Sequence, residues 1–288
     1  MVWVNRVGVV GAGTMGHGIA EVLAYAGLQV VLEDIDAKLL EKGVRKIGEI
    51  LHERVTAGKM TEAEKAEILK RITTTTSLEG MRDVDFVIEA ASESLELKRK
   101  IFADLDRIAK ETTILATNTS ALSIAAIGAA TKRPQRVVGM HFFNPAHKMK
   151  LVEVVPSVAT SRETVDAAVE LAEKCRKLAV VVKDTPGFLV NRILTPVLLE
   201  SIRALEEGVA SQRDIDLAMR AGAGFPMGVF ELADMVGLDV ALEVAETMHR
   251  QTGDPRFAPP PRLRRMVEAG WLGRKSGRGF YEYGAAEE

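Results

Sequence analysis

The sequence predicts an α/β fold followed by an all-α segment, and three observations carry that prediction. Up to about residue 184, short β-branched runs alternate with longer helical patterns. Near the N-terminus, three glycines sit where a strand pattern gives way to a helix pattern. Past "KDTPGF", almost every apolar residue falls at helical spacing.

The strand runs are "WVNRVGVV", "QVVLED", "RITTTT", "VDFVIEAA", "TILATN", "RVVGMHFF", "LVEVV" and "LAVVVKD". Strands separated by helical patterns build a mainly parallel sheet covered on both faces. Between the second and third runs, "DAKLLEKGVRKIGEILHERVTAGKMTEAEKAEILK" has helical periodicity and predicts a helical hairpin inserted into the sheet topology. The Pro186-Gly187 turn closes the last strand, which sets the domains at 1–184 and 185–288. A helix follows from about Phe188 to Glu207. Inside it Pro196 removes the hydrogen bond to the carbonyl of Arg192 and is expected to kink the helix. "AGAGFPMG" is a loop, further helices run to about Ala269, and "GRKSGRGFYEYG" is expected to be an irregular tail.

Composition removes several function classes. An apolar share of 47% over 288 residues supplies a proper core. A net charge of −2 argues against a surface built for nucleic acid. Charges interrupt every hydrophobic run, so no membrane span is expected, and no export signal is visible; the expected location is the cytoplasm. Cys175 is the single cysteine and the five histidines lack ligand spacing, so neither a disulfide nor a metal is expected.

"VGVVGAGTMGHGIA" places Gly11, Gly13 and Gly16 in GxGxxG spacing, and "QVVLED" ends the next strand at Asp34. Alone the glycines could serve only a tight turn. With strand, helix and acid in place they predict a Rossmann-like dinucleotide site, in which Gly11, Ala12, Gly13, Thr14, Met15 and Gly16 cradle a pyrophosphate at a helix N-terminus. Asp34 is expected to bond the adenosine ribose, with Glu33 as the rival acid. Ile35 and Asp36 offer no cation for a 2′-phosphate, which favours NAD over NADP.

Hydride transfer to a nicotinamide also requires a group that takes the hydroxyl proton. His141 suits that task near neutral pH, and a carboxylate behind the ring would fix its tautomer. Glu153, alone in the apolar run "LVEVV", is the candidate. Spacing leaves open the alternative that Glu153 faces solvent and His141 is a core histidine.

The blocks "GVVGAGTMGHGIA", "NTSALSI", "GMHFFNPAHKMKLVEVV", "KDTPGFLVNRIL", "GAGFPMGVFEL" and "GRKSGRGFYEY" run in order along nearly the whole chain. Together they resemble the L-3-hydroxyacyl-CoA dehydrogenase family, including its 3-hydroxybutyryl-CoA members. The resemblance implies reversible, NAD-dependent oxidation of an (S)-3-hydroxyacyl-CoA to the 3-oxoacyl-CoA, in fatty-acid metabolism. It assigns His141 as general base, Glu153 as its orienting carboxylate, and Ser120 and Asn191 to the substrate. Asn144 is assigned to cofactor or substrate, and Glu93 and Lys98 to the lining of the NAD site. It further implies a site in the interdomain cleft and a homodimer through the helical domain. Ser94 departs from the pattern, since many relatives carry Asn there, and this puts side-chain contacts by that position in doubt. Lys46, Arg54 and Lys59 are candidates for the phosphates of CoA, set against the commoner case of a solvated helix face. A related hydroxy-acid or sugar-acid dehydrogenase and a catalytically silent NAD-binding protein are the rival readings.

Overall fold

The computed structural model describes residues 4–284, in two compact units that part between Thr185 and Pro186. In the first unit, β1 (Arg6–Val10), α1 (Gly16–Tyr25) and β2 (Gln29–Glu33) lead into the helical hairpin of α2 (Ala37–Thr56) and α3 (Glu62–Lys70). Then come β3 (Ile72–Thr75), β4 (Phe86–Glu89), α4 (Leu95–Ile108), β5 (Ile114–Thr117) and α5 (Ile124–Gly128). β6 (Val137–Phe142), β7 (Leu151–Pro156), α6 (Arg162–Lys174) and β8 (Leu178–Val181) complete it.

These strands form one sheet of eight in the order β3-β2-β1-β4-β5-β6-β7-β8. The first six are parallel and follow the doubly wound order, as the strand–helix alternation predicted. β7 runs antiparallel to β6, with β8 parallel to β7, so the sheet is mixed at this edge. Antiparallel neighbours need no crossover helix, and residues 143–150 suffice to join β6 to β7.

Alternation along the strands sorts the side chains. Val7, Val9, Leu32, Ile88, Ala116, Val138 and Val154 share a core with Ile19 and Leu23 of α1 and with Val165 and Leu171 of α6. On the other face a Cβ on Gly8 would strike Met81, and one on Gly139 would strike Ile124 of α5, so small residues there admit the covering layer. Helix starts follow capping chemistry. The Asp36 side chain accepts from the Lys38 N–H at the start of α2, and Thr61 and Glu64 form a reciprocal capping box on α3. Cys175 is buried at the C-terminal end of α6.

The second unit holds α7 (Val190–Glu206), α8 (Gln212–Ala221), α9 (Val229–Val236), α10 (Leu238–Thr252) and α11 (Pro261–Glu268). Its core includes Leu199, Ile202, Phe230, Leu238, Ala245 and Leu263. α7 continues through Pro196.

The segment after α11 is irregular, as expected, yet tightly held. Asp234 accepts the N–H groups of Phe280 and Tyr281 at 2.9 Å each and the Tyr283 hydroxyl at 3.0 Å. Asp216 accepts the Phe230 N–H and the Tyr281 hydroxyl, both at 2.9 Å. Gly279 is required beside this anchor, because a Cβ there would lie 2.0 Å from an Asp234 carboxylate oxygen. Sequence patterning cannot reveal such a tail, since its order comes from two acids on earlier helices.

Removing a buried acceptor strands its donors. Asp234→Ala is expected to lower unfolding stability by about 3 kcal/mol in urea titrations, whereas Glu243→Ala, on the exposed face of α10, stays within about 0.5 kcal/mol of the parent.

Candidate active site

The glycine loop opens where β1 ends. Gly11 adopts φ +97°, and its N–H donates to the Glu33 carbonyl at 2.7 Å. A Cβ on Gly11 would stand 2.8 Å from the Ala90 carbonyl oxygen, and one on Gly16 only 1.7 Å from the Gly11 oxygen. Both glycines are therefore demanded by the chain's own packing. Gly13 differs, for a Cβ there would meet nothing within 4 Å. The loop leaves that space open where the backbone of a phosphate cradle must approach its ligand. Met15 precedes α1 without a side-chain cap, and although the His17 N–H donates to the Gly13 carbonyl at 3.3 Å, no side chain occupies the start of the helix, where an anion can be bound.

Asp34 fastens this loop to the end of β2. Its carboxylate accepts the Ala12 N–H at 2.8 Å and the Asp36 N–H at 3.0 Å. Ile35 beside it is 90% exposed and apolar. Open space at Gly13, an uncapped helix start and an anchored carboxylate fit a dinucleotide whose adenosine ribose carries no phosphate. The rival acid, Glu33, is buried next to Asp34, and desolvation together with the Asp34 charge pushes its carboxyl up to about 7.

Strand register sets a further row of polar groups at the carboxyl ends of the strands. Glu33 is opposite Val10, Val10 opposite Glu89, and Glu89 opposite Thr117. Glu89 is fully buried and fully bonded. It takes the Lys98 ammonium at 2.7 and 3.0 Å, the Ala91 N–H at 2.7 Å and the Thr117 hydroxyl at 2.7 Å. Lys98 also lies 3.5 Å from Glu93. Glu93 in turn accepts the Thr119 hydroxyl at 2.6 Å, the Ser120 N–H at 2.8 Å and the Ser120 hydroxyl at 3.1 Å. The structure thus brings Glu93, Lys98 and Ser120 together. The Lys98 side chain is 0% exposed, so its ammonium is spent on Glu89 within the protein. Ser94 caps α4 through the Leu97 N–H at 3.4 Å, which is what the hydroxyl retains at that position.

His141 and Glu153 face each other across the antiparallel pair of β6 and β7. His141 Nδ1 and Glu153 Oε2 are 2.7 Å apart, and the two side chains are 9% and 1% exposed. A solvent-facing Glu153 is excluded. The Phe143 ring leans on the imidazole with centroids 4.5 Å apart. Asn118 accepts the Phe142 N–H at 2.8 Å and so ties the segment bearing Ser120 to the strand bearing His141. Asn144 is exposed in the loop just after β6, and Asn191 lies in the first turn of α7 in the second unit. Of the three cations considered for CoA, Arg54 is committed to the buried Glu21 at 2.9 Å, Lys46 pairs with Glu49 at 3.0 Å, and Lys59 is exposed.

Glu89, Thr117 and Thr119 escaped the sequence reading. The signal for Glu89 was present all the same, a lone acid closing the apolar run "FVIE", the same kind of signal that singled out Glu153.

The family model for the NAD binding domain of 3-hydroxyacyl-CoA dehydrogenase matches residues 6–185, and that for the C-terminal domain of the same family matches residues 187–283. A probable 3-hydroxybutyryl-CoA dehydrogenase of Bacillus subtilis is 46% identical over 280 residues, covering 97% of this chain and 98% of that protein. The crystal structure of (S)-3-hydroxybutyryl-CoA dehydrogenase from Ralstonia eutropha superposes with a TM-score of 0.94 at 45% identity, over 98% of this chain and 99% of that one. A 3-hydroxyadipyl-CoA dehydrogenase of Escherichia coli is 46% identical over an alignment of 289 positions that covers all of this chain and 61% of that protein.

Two outcomes follow from the loop and its acids. Gly13→Ala should fold with a Tm within about 2 °C of the parent, since its Cβ meets no protein atom, while NADH affinity measured by fluorescence titration falls about tenfold or more. Glu33 holds its proton longer when folded than when unfolded. Its ionisation therefore erodes stability as pH rises from the ordinary glutamate value of 4.5 to about 7. Relative to the parent, Glu33→Gln should gain stability through that window, most above it, and nothing below it, as read from Tm against pH.

Proposed function

We propose, from the premise that this chain belongs to the 3-hydroxyacyl-CoA dehydrogenase family, that it interconverts (S)-3-hydroxybutyryl-CoA and acetoacetyl-CoA. It is an NAD-dependent oxidoreductase. The observation that carries the finer reading is the 2.7 Å contact between His141 Nδ1 and Glu153 Oε2 inside that NAD-binding domain. The choice of acyl group draws on the names of relatives that cover nearly all of this chain.

Bound NAD supplies the hydride acceptor. Everything else in the step concerns where a proton goes and how the reacting oxygen is held. A carboxylate can only accept, so Glu153 favours the tautomer with the proton on Nδ1 and leaves proton exchange to Nε2. In the oxidative direction Nε2 takes the proton of the 3-hydroxyl, and the imidazolium so formed is stabilised by the charge of the buried Glu153. In the reductive direction the same nitrogen returns the proton to the 3-oxo oxygen. Ser120, with its N–H and hydroxyl both bonded to Glu93, is held to orient the substrate oxygen. Asn144 and Asn191 are assigned to the cofactor and acyl-CoA by family likeness, and each is tested by its own alanine variant.

The proposal includes a homodimer through the helical unit, supported by apolar side chains exposed there, among them Ile193, Leu217 and Val236. It places the enzyme in the cytoplasm, where NAD and acyl-CoA meet. Among the described residues no helix is long and apolar enough to cross a membrane.

Loss of NADH absorbance with acetoacetyl-CoA is the test. His141→Gln is expected to lower kcat about 10³-fold and Glu153→Gln about 10²-fold, within the range for general acid–base groups and their orienting partners. NADH binding should persist in both, and NADPH should be a poor substitute. Full activity in Glu153→Gln would dismiss the pair. Turnover of gulonate in place of acetoacetyl-CoA would move the protein to the sugar-acid enzymes, and NADH binding without any turnover would make it a silent nucleotide-binding protein.

A further inference from the structure

β6 and β7, which set His141 opposite Glu153, are joined by residues 143–150. It contains a single turn in which the N–H groups of Lys148 and Met149 both donate to the Pro145 carbonyl at 3.0 Å. A lone turn leaves carbonyls that its own backbone cannot satisfy. Two of them, those of Ala146 and Met149, receive the Lys177 ammonium at 2.6 and 2.7 Å. Lys177 comes from the link between α6 and β8 and is only 8% exposed.

A buried ammonium needs a balancing charge. The acid whose attraction works against the desolvation that lowers the Lys177 pKa is Glu21 of α1, wholly buried, whose own pKa burial raises against the pull of Arg54 and Lys177. Arg54 of α2 stands 2.9 Å from Glu21, out of line for a hydrogen bond, so the carboxylate is balanced by charge from two sides. α1 meets the same turn a second time. Three residues before Glu21, the bare Gly18 admits Ala146, whose Cβ would be 3.2 Å from a Cβ added there. α1 is also the helix that opens at the glycine loop. An apolar side chain could fill the place of Lys177 but could not bond the two carbonyls.

We infer that Lys177, balanced by Glu21, is a positioning residue for the His141–Glu153 pair, fixing the β6–β7 connection to the helix that begins at the dinucleotide loop. The inference rests on the catalytic reading of that pair given above.

Three readouts separate positioning from plain stability: kcat with acetoacetyl-CoA, KM for NADH, and the His141 tautomer seen by nitrogen-15 NMR of histidine-labelled protein. Lys177→Met keeps the length of the side chain and removes the donors. It should lower kcat about tenfold, as misplacement of a reacting group does, while KM for NADH changes less than about twofold. In the neutral ring the Nδ1–H tautomer should give way to a mixture. Lys177→Arg, which keeps cationic donors, should recover most of the lost kcat, and Glu21→Gln should fall between parent and Lys177→Met. Val165→Ala, a core change in α6, should lower Tm and leave kcat and the histidine spectrum alone.

Parental kcat and an unchanged His141 spectrum in Lys177→Met would overturn the inference, as would an equal kcat loss in Val165→Ala. If Lys177→Met does not fold, Glu21→Gln decides by the same comparison. Failure of the parent enzyme to use acetoacetyl-CoA would strike the functional reading alone. The histidine spectra would still decide here, an altered tautomer supporting the anchor and an unaltered one refuting it.

Discussion

A carboxylate inside an apolar strand costs several kcal/mol unless donors meet it, and the first unit is arranged around that constraint. Glu153 sits between the fully buried Val152 and Val154 and finds its donor in His141, directly across the ladder. The antiparallel register of β6 and β7 sets the two side chains opposite each other on one face of the sheet. A slip of one residue would turn Glu153 to the opposite face of the sheet and leave both groups unmatched. The reversed direction of β7 is thus bound up with the chemistry of the pair.

The same constraint explains the other end of the sheet. Asp34 answers the glycine loop, Glu89 answers Lys98, and Glu93 answers Ser120. Each acid is held by donors from a different element, so the loop, the start of α4 and the segment after β5 are fixed to one another. Electrostatic groups fixed before a ligand arrives need not be reorganised when it does. In the helical unit Asp216 and Asp234 do similar work for the tail, which shows that buried acids organise structure as readily as chemistry.

Much of this was legible in the sequence. Hydrophobic alternation gave the strands and the inserted hairpin, and the glycine spacing with Asp34 gave the loop, because both signals are local. The isolated Glu153 was conspicuous for the same reason. What escaped depends on partners far apart in the chain. Lys98 was assigned to the NAD site by family likeness alone, and its bond to Glu89, nine residues earlier, could not be read from the sequence. The order of the tail comes from Asp234, 46 residues before Phe280, and the direction of β7 is not written in "LVEVV", whose apolar pattern suits a parallel or an antiparallel strand alike.

That direction bears on assembly as well. His141 and Glu153 are separated by 12 positions, whereas the contact that seats the first strand, from the Arg6 N–H to Asp85, spans 79. Closing a short loop costs less chain entropy than closing a long one, and local contacts are accessible earlier in the search for the native state. A hairpin that carries both members of the pair can acquire their mutual geometry as a self-contained unit, while the dinucleotide end must wait for strands gathered from across the domain.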